Sequence, residues 1–443
     1  MSAQPPFQQP SRPVVELYET LTGDEDARVC KDIPDAACRV QPANFFVHLV
    51  SNTASKIGDE LASARLVLAW LMAALGAPAA LAGFLVPIRE SGSLLPQLFV
   101  AAYIRRASVR KWFWVWGSVG QGVAVMLMAV VALTLTGAAA GWAIIGLLTL
   151  FALSRGVNSV ASKDVLGKTI AKRRRGTLMG YAAAMAGAVT LAVGVWLTFQ
   201  ASEDAGIGFF VALLMIAGGL WLLAALVFAA LKEAPGATEG GGNAVSEGLR
   251  SLSLMRTDRP FRHFVITRAL LMTTALALPF YVILAQQEGS GDISGLGILI
   301  IATGLAGALS APFWGRFSDR SSRQVLMLSG AMAGLLGLLV FALVTLGVDW
   351  AATHWAFAVY LFIMGIAHAG IRLGRKTYLV DMATEQTRAA YTAVSNTLIG
   401  ALLLVGGLFG MVAQLAGTAA AILVLSLVTL AGVASAWRLE EVQ

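Results

Sequence analysis

Six polar residues mark one stripe of an otherwise apolar stretch. They are Asn52, Ser55, Lys56, Asp59, Glu60 and Ser63, separated by 3, 1, 3, 1 and 3 positions. Steps of three and four return to the same face of a helix, so a single helix would present all six together. A carboxylate in such a place takes up a proton when its cationic neighbour is drawn away, because an opposite charge favours the ionised form. Asp59, Glu60 and, in the next apolar stretch, Glu90 are therefore the candidates for binding a proton on one side of a barrier and releasing it on the other. Lys56 can reach Glu60 at i+4, and Arg89 can meet Asp59 or Glu60 from the neighbouring helix. Arg155 and Arg372 could clamp an anionic substrate between them. Asn52, Lys56, Arg89, Asn158, His368 and Asn396 complete the candidate lining of a wet central cavity. The same groups admit quieter roles. Asp59, Glu60, Arg89 and Glu90 could form a static network, Arg155 and Arg372 could brace helix ends, Arg268 could snorkel, and His368 could simply pack.

The elements that position these residues follow from composition. The chain has 443 residues, 57% hydrophobic and 13% charged, with mean hydropathy +0.74. Soluble domains run about 45–50% apolar and about 25% charged. An ordinary soluble enzyme, a disordered protein and a coiled coil are excluded, and a polytopic all-α membrane protein is expected. Twelve apolar stretches can be delimited, at about 45–73, 77–104, 111–137, 141–165, 175–199, 206–231, 261–286, 292–316, 323–346, 353–375, 388–413 and 417–438. Each suffices for a spanning helix, which needs roughly 20 apolar residues. A charge at the centre of such a helix costs about 2.5–3.5 kcal/mol on insertion scales, so the charged faces must turn inward and pair.

The connections carry the charge asymmetry. Lys and Arg gather between spans 2 and 3 (Arg105, Arg106, Arg110, Lys111), 4 and 5 (Lys168, Lys172, Arg173, Arg174, Arg175), 6 and 7, 8 and 9, and 10 and 11. The opposite connections hold Glu203, Asp204, Glu288, Asp292 and Asp349 and no Lys or Arg. The positive-inside rule then places both termini in the cytoplasm, with the inner (cell) membrane as the expected location. It also assigns the net charge of +7, from 32 Lys+Arg against 25 Asp+Glu, to membrane orientation instead of nucleic-acid binding. Cys30 and Cys38 sit in the polar leader, without a metal-type cluster, and are expected to be incidental reduced thiols.

The chain divides into a cytoplasmic tail (1–43), a first six-helix bundle (44–231), a glycine-rich cytoplasmic linker (232–260), a second bundle (261–438) and a short tail (439–443). The halves repeat. An offset of 216 pairs Asn44-Phe45 with Pro260-Phe261, 217 pairs Arg155 with Arg372 and Asp164 with Asp381, and 213 pairs Gly187 with Gly400 and Gly194 with Gly407. Two six-helix halves related by an axis along the membrane normal are a transporter architecture.

At the end of the eighth span stands Gly315-Arg316-Phe317-Ser318-Asp319-Arg320-Ser321-Ser322-Arg323. It resembles the Gly-x-Leu-(Ala/Ser)-Asp-Arg-x-Gly-Arg-(Arg/Lys) signature of the major facilitator superfamily. Gly315, Ser318, Asp319, Arg320 and Arg323 match, while Phe317, Ser322 and Gln324 depart. The resemblance implies two pseudo-symmetric six-helix bundles working by alternating access. It also implies a gating latch of Gly315, Asp319, Arg320 and Arg323 that helps hold the outward-open state. By the offset, Phe99 and Tyr103 replace Gly315 and Asp319 in the first half, so that latch is degenerate. The fifth span lacks a glycine-proline antiporter motif, which speaks against the family's drug/proton antiporters.

The expected function is secondary active transport of a small molecule, proton-coupled, with an organic anion as substrate. The alternatives are a uniporter of the same fold and a non-transporting membrane sensor or scaffold. A monomer in the lipid bilayer is expected, with no cofactor or metal and no enzymatic activity. Ser162–Thr169 imitates a phosphate-binding loop but starts with Ser and follows a membrane helix instead of a strand.

Overall fold

The chain is described by a computed structural model covering residues 10–22, 33, 35–95, 100, 103–104, 106–199, 206–236, 253–288, 293–384 and 387–442. Cys30, Phe99, Arg105, Glu203, Asp204, Asp292 and most of the linker lie outside the described residues. Among those described, every regular element is helical. In the first half these are α1 (Arg12–Thr22), α2 (Asp35–Leu61), α3 (Val67–Ala74), α4 (Ala79–Ala82), α5 (Leu85–Leu94), α6 (Lys111–Thr134), α7 (Gly137–Thr169), α8 (Lys172–Phe199) and α9 (Ile207–Ala229). In the second they are α10 (Leu254–Thr257), α11 (Arg259–Leu271), α12 (Thr273–Glu288), α13 (Ile293–Ser318), α14 (Ser322–Thr345), α15 (His354–Met382), α16 (Arg388–Gly406), α17 (Phe409–Ala416) and α18 (Thr418–Trp437).

Ten stretches among the described residues, from Lys111–Thr134 to Thr418–Trp437, are long and apolar enough to cross a membrane. The first expected span falls below that measure because it is interrupted at residues 62–66 and carries Lys56, Asp59 and Glu60. The second is interrupted at Gly83-Phe84, carries Arg89 and Glu90, and includes residues 96–99 and 101–102, which lie outside the described ones. The imitation phosphate loop is continuous helix within α7.

The described residues of the leader include two helical segments that pack on the bundle. α2 begins at Asp35, where an acidic side chain favours a helix N-terminus. α1 docks through the buried Tyr18, whose ring meets Phe45 edge-on and whose hydroxyl accepts from Gln41 Nε2 at 2.7 Å. Arg174 and Tyr181, at the start of α8, donate to the carbonyls of Thr22 and Leu21 at the end of α1. Cys38 is disulfide-bonded, which corrects the expectation of a free thiol. It is fixed one turn into α2, against Ile33, Ala37 and Ala171.

In each half, the segment just past the last long helix ties back to the start of an earlier one, α6 in the first half and α14 in the second. In the first half the buried Glu233, just past α9, accepts from the backbone N–H groups of Arg110 and Lys111 at 2.9 and 2.7 Å and from Lys168 at 3.1 Å. In the second, Glu441, just past α18, accepts from Ser321 Oγ at 2.9 Å and pairs with Arg323 Nε at 3.3 Å. Hydrogen bonds to charged groups contribute about 1.5–3 kcal/mol. Glu233→Gln should therefore lower thermal stability by about that much. Glu441→Gln, whose side chain is 34% exposed, should cost clearly less; equal losses would refute this ranking.

Packing between the halves concentrates on the acidic side of the molecule. There α3 meets α12, α4 meets α17, and α8 meets α13. Small residues allow the approach. A Cβ on Gly83 would stand 2.6 Å from Gly410 Cα, and one on Gly297 would stand 2.8 Å from the carbonyl oxygen of Gly194. Nearer the middle, α5 lies on α16, and Ser91 Oγ donates to the Gly400 carbonyl at 2.6 Å.

Candidate functional site

The charged residues of α2, α5 and α7 meet one another. Asp59 accepts from Arg89 at 3.0 Å and also from Arg155, so one carboxylate sits between two guanidiniums. Its side chain is 18% exposed and that of Arg89 13%. No ion pair joins Lys56 to Glu60 among the described residues. Glu60 is exposed, close enough for its charge to act on Arg65 and Arg89.

Glu90 has a partner that helix periodicity misses. It pairs with Arg65 Nη2 at 3.2 Å, and Arg65 Nη1 lies 3.1 Å from His368 Nε2 on α15. Arg65 sits in the interruption between α2 and α3. If α2 continued unbroken to residue 65, its side chain would fall off the stripe that carries Asp59. The interruption lets it reach the second half. Discontinuous membrane helices of this kind place backbone and side chains at a transporter's midplane. The clue in the sequence was an arginine inside the apolar run Ala64–Leu66.

From α15, Arg372 and Arg375 extend the positive field over His368, and the charge of Arg375 also reaches Glu90. His368 Nδ1 lies 3.5 Å from Thr274 Oγ1. The structure thus brings together Asp59, Arg89, Arg155, Glu90, Arg65 and His368, with Arg372 and Arg375 beside them.

Other candidates lie apart from that cluster or are occupied elsewhere. Asn52 donates to the His48 carbonyl in its own helix at 2.8 Å. Asn158 is buried in the seam between α7 and α6, donating to Ser118 Oγ at 2.9 Å. Asn396 accepts from Arg268 at 2.9 Å, and Ser395 Oγ takes the same guanidinium at 2.5 Å. Arg268 is therefore buried between α11 and α16 instead of snorkelling. Asp164, equivalent to Asp381 by the repeat, pairs with Arg110 and with Lys168 at 3.1 Å.

At the signature segment, Asp319 and Arg320 are exposed, and no ion pair involves Asp319 among the described residues. Arg323 engages Glu441 and the Leu439 carbonyl instead. Gly315 is half-buried near the end of α13. No ion pair therefore joins Asp319 to Arg320 or Arg323 among the described residues, while the opposite, acidic face is packed.

A cavity of about 720 Å³ opens between the halves on the acidic side, lined by Gly76, Pro78, Gln286, Gln287, Gln414 and Thr418. Its lining carries no ionisable side chain, and it is separate from the charged cluster. No metal-type group of His, Cys, Asp or Glu occurs among the described residues.

Known proteins share this fold. The fold matches nucleoside transporter NupG with a TM-score of 0.72 at 13% identity, covering 89% of this chain and 99% of that one. It matches the inward-open conformation of the xylose transporter XylE from E. coli with a TM-score of 0.66 at 10% identity, covering 90% and 97%. At these identities the likeness concerns the fold alone. By sequence, 167 residues are 25% identical to multidrug resistance protein MdtG of Proteus mirabilis, spanning 35% of this chain and 40% of that relative's length. The model of the Major Facilitator Superfamily matches residues 49–333 and 271–443. With a match of that extent on a helical fold shared with two transporters, the chain belongs to the Major Facilitator Superfamily, and it is a multi-pass membrane transporter, not an enzyme.

Proposed function

We propose that this transporter moves an organic anion together with protons, by alternating access of two bundles, residues 44–231 and 261–438. The observation that carries the reading is the charge balance where the halves meet. Arg65, Arg89, Arg155, Arg372 and Arg375 outnumber Asp59, Glu60 and Glu90. A carboxylate or phosphate of the substrate would complete that balance by bidentate contact with a guanidinium. In doing so it would compete with Glu90 for Arg65. A carboxylate that loses its cation takes up a proton more readily, so substrate and proton would favour the same states, which is the condition for coupling.

The segments α2–α3 and α4–α5, added to the ten longer stretches, would make twelve crossings with both termini on one side. The basic connections support the cytoplasmic side of the inner membrane. The Cys38 disulfide argues the other way, since disulfides are rare in reducing compartments. The charge asymmetry extends over five connections, and we adopt it. The packed acidic face and the likeness to inward-open XylE support an inward-facing state.

The test is flux into liposomes under an imposed pH gradient. A gradient should drive accumulation of the anion, and Glu90→Gln should reduce it at least tenfold. If Glu60→Gln and Glu90→Gln both leave gradient-driven flux intact, proton coupling through these groups is wrong. Flux indifferent to the gradient would instead identify a uniporter. A scaffold would lose its partner on deletion of residues 1–9, ahead of the docked α1, whereas a transporter should keep its flux. Thermal-shift screening of carboxylates against neutral sugars tests the substrate class, because a ligand of the folded form raises its apparent stability. Stabilisation by neutral sugars alone would refute the anion.

A further inference from the structure

The two halves differ at one equivalent position in a way that opens a cavity. In the first half, Asn44 near the start of its first span seals that helix to the segment following its sixth. Its amide donates to the Lys232 carbonyl at 2.9 Å and accepts from the Lys232 N–H at 3.0 Å. Lys232 is the third residue beyond α9; the third residue beyond α18 is Glu440. The repeat pairs Asn44 with Pro260, which has no side-chain amide to offer. The carbonyl of Glu440 is taken by the Tyr378 hydroxyl at 2.9 Å instead. Where the first half is stitched shut, the second keeps a cavity of about 380 Å³ between α11 and the end of α18, lined in part by Pro260 itself.

The charge of that cavity is specific. Arg259, Arg262 and His263 reach it from the first turns of α11, Arg438 and Glu440 from beyond α18. Three guanidiniums thus face one carboxylate. Neither Arg259 nor Arg438 joins an ion pair among the described residues, and both are exposed. Arg262 spends one contact on the Met255 carbonyl at 3.3 Å, and His263 meets Ser435 Oγ at 3.2 Å. Arg259, Arg262, His263 and Ile266 share one helical face, and Ile266 is 48% exposed. Trp437, 69% exposed, marks the level at which an aromatic side chain meets a membrane–water interface. The cavity is therefore cationic at its polar end and apolar one turn deeper, on the side where the basic connections gather.

We infer that this cavity binds a phosphate-bearing anion. Arginines from α11 and from the segment just past α18 suit the planar, bidentate recognition of phosphate, and basic pockets between membrane helices accept anionic headgroups. The source is either an anionic phospholipid, its acyl chains running along Ile266, or free phosphate. The site stands apart from the charged cluster between the halves and does not depend on the transport reading.

The test uses the full-length protein in detergent, with lipid retention read by native mass spectrometry. The probes are phosphatidylglycerol, phosphatidylcholine and inorganic phosphate. The wild type should retain phosphatidylglycerol at least tenfold more strongly than phosphatidylcholine. Arg259→Gln/Arg262→Gln/Arg438→Gln should bring the two within about twofold. Pro260→Asn, which keeps every arginine but restores the sealing amide, should do the same, so loss of charge and loss of space are read separately. Retention of phosphatidylglycerol assigns the bilayer as source. Stabilisation by millimolar phosphate without lipid preference, abolished in both variants, assigns the solution; either result sustains the site. A lipid preference or phosphate response unchanged in both variants overturns it, as does a wild type with neither.

Discussion

Asp59→Asn is expected to abolish transport and to lower stability by about 3–5 kcal/mol, the cost of breaking a buried ion pair from one side. Asp59 is the shared acceptor of Arg89 and Arg155. An asparagine keeps the shape but leaves two guanidiniums without their counter-charge in a place largely closed to water. The unpaired charge, more than the lost attraction, sets the size of the effect. Removing Arg155 as well should return part of the stability, because a partner left unpaired is then gone, while flux stays lost. Thermal unfolding of the purified variants and flux in liposomes measure the two quantities. Retention of wild-type stability in Asp59→Asn would mean that water already solvates this site and that the network is peripheral.

The second large effect is expected at Gly83. A Cβ there would stand 2.6 to 2.8 Å from Gly410 Cα, Gly410 N and the Gly407 carbonyl, all of it backbone that cannot rotate away. Gly83→Val should therefore prevent α4 from seating on α17 and hold the acidic side open. Flux should fall at least a hundredfold, since alternating access needs both closures, while folding within each half is preserved. The readout is labelling of a cysteine introduced by Ala413→Cys, a buried position that lines the cavity on that side. A membrane-impermeant maleimide should label it several-fold faster in the Gly83→Val background. Equal labelling with intact flux would show that this glycine contact is not the closure.

The two predictions separate what the charges do from what the small residues do. The charged cluster joins the halves through Arg65 and His368, and the glycines govern how closely they approach on the acidic side. A variant of the first kind should fail in stability and coupling together, and one of the second kind in conformational exchange alone.

Much of this was legible in the sequence. The hydropathy forces a helical membrane fold, because lipid leaves backbone groups no partner except their own helix. The stripe located the polar face of α2 from Asn52 to Glu60, while Ser63 falls past the end of that helix, in the interruption. Of the two partners expected for Arg89, Asp59 or Glu60, the structure pairs it with Asp59. Those inferences needed only helical periodicity and the cost of exposing charge to lipid. Periodicity fails where a helix stops: Arg65 escaped notice because an unbroken helix would carry it off the stripe, and only the interruption at residues 62–66 brings it to the cluster. Asn158 and Arg268 were misplaced for a related reason. A polar residue in a span announces that it needs a partner, not whether that partner is a neighbouring helix or a cavity.

By itself, then, the sequence determined the class of fold, the crowding of charge into the first spans and the repeat that makes the two halves comparable. These are consequences of local composition and of a solvent that penalises unpaired polarity. Only the tertiary structure decided who pairs with whom: Asp59 between two arginines, Glu90 with Arg65, and Arg323 with Glu441 in place of Asp319. Partnership depends on helix interruptions and on which small residues let backbones touch, and these are set by the packing of distant segments.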